Sequence, residues 1–136
     1  MDPFDLVLVA VDGSEESTRA VEYAAAVADA YDAAVHVAYV LGEGVTEGYD
    51  VTDEYANTAE EIAEEYGVDI STSSVSGFST SRLSQHPGSV VLDTAEGRGA
   101  DFLVVPREPQ TGTRAAILEK TAEYVLRYAS QPVLSV

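Results

Sequence analysis

Leu6-Val-Leu-Val-Ala-Val11 is an unbroken apolar run that passes straight into Asp12-Gly13-Ser14. A strand wet on one face alternates apolar with polar residues; a run apolar on both parities is buried on both faces, as in a parallel sheet. Ser14 is a natural helix N-cap, and Glu15 and Glu16 occupy the first turn, where carboxylates suit the helix dipole. A helix is predicted to about Tyr31, with Val21, Ala24, Ala25 and Ala28 on one stripe. Strand, tight turn and helix in that order set the pattern for the rest of the chain.

Residues 34–41 (AVHVAYVL) read as a second buried strand, followed by a loop with Gly42, Gly44 and Gly48. An acidic helix is predicted from about Asp53 to Tyr66, with Tyr55, Ala59, Ile62 and Ala63 inward and Gly67 as its stop. Residues 68–75 (VDISTSSV) alternate and predict an edge strand. Residues 76–87 carry no clear period; a short helix is expected from Ser89 to about Glu96. Phe102 to Val105, Arg114 to Ala129 and Pro132 to Val136 read as strand, helix and strand. The order β-α-β-α-β-α-β-α-β predicts one α/β domain over residues 1–136, a parallel sheet with helices on both faces.

Composition narrows the chemistry. The 136 residues hold 24 acidic and seven basic side chains, a net charge of −17, and no cysteine. That charge disfavours nucleic acids and anionic membranes as partners. With 46% hydrophobic residues in regular patterns, the chain is not an acidic disordered one. The charge fits a folded protein of a salt-loving organism, since at about 1 M salt a Debye length of roughly 3 Å removes most of the self-repulsion. Acidic Asp2 and Asp5 and a short apolar run do not make a secretory signal, so a cytoplasmic location is expected.

Three segments resemble the universal stress protein family. They are Val9-Ala-Val-Asp-Gly-Ser14 with Ala20-Val-Glu-Tyr-Ala24, then Val35-His-Val-Ala-Tyr-Val40, then Gly99 to Val105 with Ala122 to Arg127 and Pro132 to Val136. The resemblance implies a five-stranded Rossmann-like parallel sheet of order 3-2-1-4-5. It also places a ligand crevice where the strand order reverses, between the Asp12-Gly13-Ser14 turn and the Pro106–Thr113 loop. Asp12 and Val40 match positions that hold base and ribose in nucleotide-binding members; the alternatives are a cap for Asp12 and plain core for Val40.

Those members carry glycines after the fourth strand, spaced so that backbone N–H groups approach phosphate, then a Gly-Ser or Gly-Thr pair nine residues on. Placed without gaps, the four positions fall on Pro106, Pro109, Glu119 and Lys120, all departures from the pattern. Proline has no N–H to donate, and Glu119 sets a carboxylate where phosphate belongs. The expectation is therefore no cofactor, with ATP or AMP the minority case through Asp12, Val40, Gly112 and Arg114. Arg98, Arg107, Arg114, Lys120 and Arg127, set against Asp101, Glu108, Glu119 and Glu123, make residues 98–127 slightly positive, at +1. Arginine forks there would bind an anion; the bland alternative is surface ion pairing.

Catalytic constellations are not supported. Ser79, Thr80, Ser81, Ser84, His86 and Asp93 contain no G-x-S-x-G elbow. His86, before Pro87, is expected at the surface or capping a turn, and His36, within a buried strand, to be a hydrogen-bonded core histidine. No histidine spacing suggests zinc, and Glu60, Glu61, Glu64 and Glu65 read as a solvated helix face. The last strand, with Val133, Leu134 and Val136, ends the sheet as an edge; in the resembled family such edges pair across a two-fold, so a homodimer is expected. The function expected is a non-enzymatic stress-response or regulatory domain that contacts an unidentified protein partner. The alternative is a nucleotide- or anion-binding switch built on a rearranged loop.

Overall fold

The structure is a computed structural model that describes residues 4–11, 15–42, 50–78, 86–106 and 113–136; the side chains of 15–17, 41–42, 50–57, 75–78, 87 and 113–119 lie outside that description. The elements run β1 (Leu6–Val11), α1 (Glu15–Tyr31), β2 (Ala34–Gly42), α2 (Asp50–Tyr66), β3 (Ile70–Phe78), α3 (Pro87–Arg98), β4 (Phe102–Val105), α4 (Thr113–Tyr128) and β5 (Val133–Ser135). The strands form one sheet of order β3-β2-β1-β4-β5, parallel throughout. The α/β architecture, its strand order and the helix on each expected segment agree with the sequence reading.

Alternation explains the two cores. Val7, Val9 and Val11 of β1 join Val35, Val37 and Tyr39 of β2 and Val104 of β4 on one face. That face is covered by Ala20, Val21, Ala24, Ala25 and Ala28 of α1 and by Ala59 and Ile62 of α2. Leu8, Ala10, Ala38, Val40, Leu103 and Val105 point the other way, onto Val91 and Ala95 of α3 and Ala122 and Val125 of α4. Small alanines on α1 let its backbone lie close to the sheet, as the stripe in the sequence predicts.

The first three helices stop by one device. Asp32, Gly67 and Gly99 adopt positive φ of 56°, 69° and 73°. Behind each, the next residue's N–H bonds back five positions: Ala33 to Ala28, Val68 to Ala63 and Ala100 to Ala95, at 2.8–3.0 Å. This is the Schellman arrangement, which satisfies carbonyls the helix leaves open. It also explains why β3 begins at Ile70 and not at 68: Val68 is held by the α2 cap. Asp101 then ties the sheet's start together, its Oδ2 accepting from the Asp5 N–H (2.8 Å) and the Leu6 N–H (3.2 Å).

The α3 helix begins at Pro87, two residues before the expected Ser89, as α2 begins at Asp50 and not at Asp53. Proline suits the first helical position, where the missing N–H would have no helical partner. His86 is the N-cap, its Nδ1 accepting from the Gly88 N–H at 3.0 Å. An imidazole here performs the task usually given to Ser, Asp or Asn.

Candidate functional site

Strand order reverses between β1 and β4, so the crevice beyond their carboxyl ends is where an open α/β sheet takes a ligand. Its described floor is Val11, Val40, Val105 and Pro106, all buried. Val40 packs into the core facing α3 and α4, so its side chain is core and its backbone alone faces the sheet end. Between Val40 and Gly42 the register with β3 shifts, which bends the end of β2 at the crevice.

The other site residues divide clearly. Asp12, Pro109 and Gly112 lie outside the described residues, as does Arg107; Arg114 and Glu119 are on α4 with side chains outside the description. The backbone of α4 alters the gapless placement of the phosphate pattern. Glu119 and Lys120 lie past the first turn of a helix that starts at Thr113. Their N–H groups are spent on helical bonds, and the open amides belong to Thr113 and the three residues after it. A Gly-Thr pair does stand at that helix start, Gly112-Thr113, seven positions earlier than the spacing demands.

On the sheet's other half, His36 is fully buried. Parallel register sets it level with Ser71 on β3. Its Nδ1 is 2.7 Å from Ser71 Oγ and its Nε2 is 2.7 Å from Ser73 Oγ. A neutral imidazole offers one donor and one acceptor, and hydroxyls satisfy both. Burial, and secondarily the Arg98 guanidinium, lower its pKa to about 4, so the ring is neutral at pH 7. This is the hydrogen-bonded core histidine expected from the sequence; its two serine partners were not identifiable there.

A third grouping was not anticipated. His86 stacks on Tyr124 of α4 (centroids 4.5 Å apart, planes at 28°), and Tyr124 in turn meets Tyr128 at 4.6 Å. The contact depends on Gly88, where a Cβ would overlap Tyr124. Burial and nearby Lys120 lower the His86 pKa below its ordinary 6.5, favouring the neutral, cap-forming ring. Among the described residues no cluster of three or more His, Asp or Glu is placed to hold a metal, and no helix is long and apolar enough to cross a membrane.

An open, doubly wound parallel sheet with its crevice at the β1/β4 reversal defines a Rossmann-like α/β domain. The chain belongs to the universal stress protein family, whose model matches residues 3–136. It is 27% identical to universal stress protein MJ0531 of Methanocaldococcus jannaschii over 144 residues, 96% of this chain and 80% of that protein. Among solved structures it resembles a universal stress protein in complex with cAMP, with a TM-score of 0.74 and 26% identity over 98% of this chain and 96% of that one. The fold also matches the Archaeoglobus fulgidus universal stress protein in complex with dAMP (TM-score 0.69, 22% identity, 96% of each chain).

Proposed function

We propose that this chain is a non-catalytic stress-response regulator of the cytoplasm of a salt-loving organism. It acts as a homodimer through contacts with a protein partner, without the family's standard phosphate loop. The observation that carries this reading is the start of α4. With α4 beginning at Thr113, the stretch from Pro106 is too short to contain the spaced glycine pattern, and Pro106 and Pro109 cannot supply two of its amides. No described residue offers a catalytic base beside an accessible crevice nucleophile, and His36 is occupied by two serines far along β2 from the crevice end.

Dimerisation is supported by β5. Among the described residues it pairs with β4 alone, and Val133, Leu134 and Val136 are each half-buried in the single chain. Pro132 and Val136 direct their backbone groups at Leu103 and Val105 of β4, so the Val133 and Ser135 amides face outward. A second copy adding its own β5 would pair them. Ser135→Pro removes one outward amide and leaves the β4 pairing intact. Sedimentation of this variant is expected to show monomer where the wild type is dimeric; an unchanged dimer would refute the β5 interface.

A second reading has one observation in its favour. Gly112-Thr113 stands at the head of α4 with Arg114 behind it, and a helix head with a hydroxyl is where phosphate binds. The chain resembles a protein solved with cAMP, and on this reading it would take a nucleotide or anion through Asp12, Val40, Gly112 and Arg114. Calorimetric titration with ATP and AMP in molar KCl separates the two readings.

A further inference from the structure

The outer face of α4 next to His86 is concave. A cavity of about 810 Å³ lies there, lined among the described residues by His86, Tyr124, Tyr128 and Leu126 together with Lys120, Glu123 and Arg127. Cavities of that size suit small-molecule ligands. Its lining comes from the α3 cap and the later turns of α4 and includes none of the described residues that floor the crevice at the strand ends.

Three features of this lining specify a ligand class. His86 stacks on Tyr124, Tyr124 meets Tyr128 at a tilt of 48°, and this last ring is open, with Tyr128 60% exposed beside Leu126 at 51%. An accessible ring at the end of a stack invites another planar ring. Lys120 and Arg127 are both exposed and have no ion-pair partner among the described residues, even though Glu123 lies between them on the same helix. Among the described residues two cations stand against one carboxylate, and His86 spends its Nδ1 lone pair on the Gly88 N–H, so the described lining is singly positive in a chain of net charge −17. Glu123 repels a second negative charge and accepts an N–H or O–H from the ring's edge.

We propose that this cavity is a binding site for a small planar aromatic monoanion, such as an aromatic carboxylic acid. The ring extends the stack at Tyr128 and the carboxylate lies between Lys120 and Arg127. Bidentate pairing with the Arg127 guanidinium would fix its orientation.

The test uses the full chain in 1 M KCl with 2-naphthoate as probe, 2-naphthalenemethanol as its neutral counterpart, and the ring proton resonances of His86 and the tyrosines as readout. Saturable shifts centred on His86, Tyr124 and Tyr128 are expected, with naphthoate binding about threefold or more tightly than the alcohol. Lys120→Gln and Arg127→Gln should each weaken naphthoate by about threefold to fivefold while leaving the alcohol unchanged. Tyr128→Ala should weaken both probes by about fivefold. All three positions are exposed, so the variants are expected to keep their helical signal. Absence of saturable shifts, equal binding of the two probes, indifference to both charge removals, or displacement by AMP (which would locate the probe in the crevice) would each overturn the proposal.

Discussion

Replacing His36 by glutamine should flatten one component of the protein's acid sensitivity, and the size of the effect follows from the burial of the ring. In the unfolded chain the imidazole titrates near its ordinary 6.5; in the fold burial holds it near 4. Between those values the unfolded state carries one proton more than the folded one, so stability rises with pH across that window. Above pH 6.5 both states are neutral and the full stability is present. As pH falls from 6.5 to 4 it is lost, and below 4 both states are protonated and the loss is complete. At about 1.4 kcal/mol for each unit of displacement, the swing is about 3 kcal/mol. Glutamine keeps a donor and an acceptor for Ser71 and Ser73 but does not titrate. The assay is urea unfolding in molar KCl from pH 4 to 7.5, followed by far-ultraviolet circular dichroism. The 24 acidic residues also titrate, but in both proteins alike, so the wild-type minus variant difference isolates His36. That difference should shrink by about 3 kcal/mol as pH falls from 7 to 4. A difference constant across the window would refute a neutral, doubly bonded His36.

Other outcomes follow from single contacts. Gly88→Ala forces a methyl into Tyr124, which overpacks the α3–α4 contact; a loss of about 1–3 kcal/mol is expected by chemical denaturation, together with altered tyrosine near-ultraviolet dichroism. Gly99→Ala places a Cβ at φ 73° with open space around it, so its penalty is backbone strain alone, about 1 kcal/mol on the same assay. Asp101→Ala removes the carboxylate that accepts from the Asp5 and Leu6 amides, and should cost about 1–2 kcal/mol, with faster hydrogen exchange at those two amides. Dialysis to low salt should unfold the chain as its −17 charge loses screening; retention of the full helical signal would contradict the halophile reading.

Much of the fold is readable from residue order because burial on both faces leaves an unmistakable trace. The runs 6–11 and 102–105 coincide with β1 and β4, and Gly67 ends α2 as read. Errors occur where a local signal competes with an unusual one. Val68 continues the alternation of β3 but is taken by the helix cap, and His86 performs a capping role rarely given to histidine, so α3 starts earlier than Ser89. The candidate site was less legible. Gapless spacing placed the phosphate pair at Glu119 and Lys120, inside the helix already predicted from Arg114; the spacing and the helix signal conflict, and the helix, which starts at Thr113, prevails. The aromatic cavity has no sequence signature at all. His86 and Tyr124 belong to different helices and meet only because Gly88 lets α3 approach α4.

The proposed function requires a crevice without the family's standard phosphate loop. Calorimetric titration of ATP into the purified chain in molar KCl tests it most directly. The account predicts no saturable heat at micromolar ATP; a micromolar dissociation constant with one site per chain would contradict it and make the Gly112-Thr113 helix start the phosphate site.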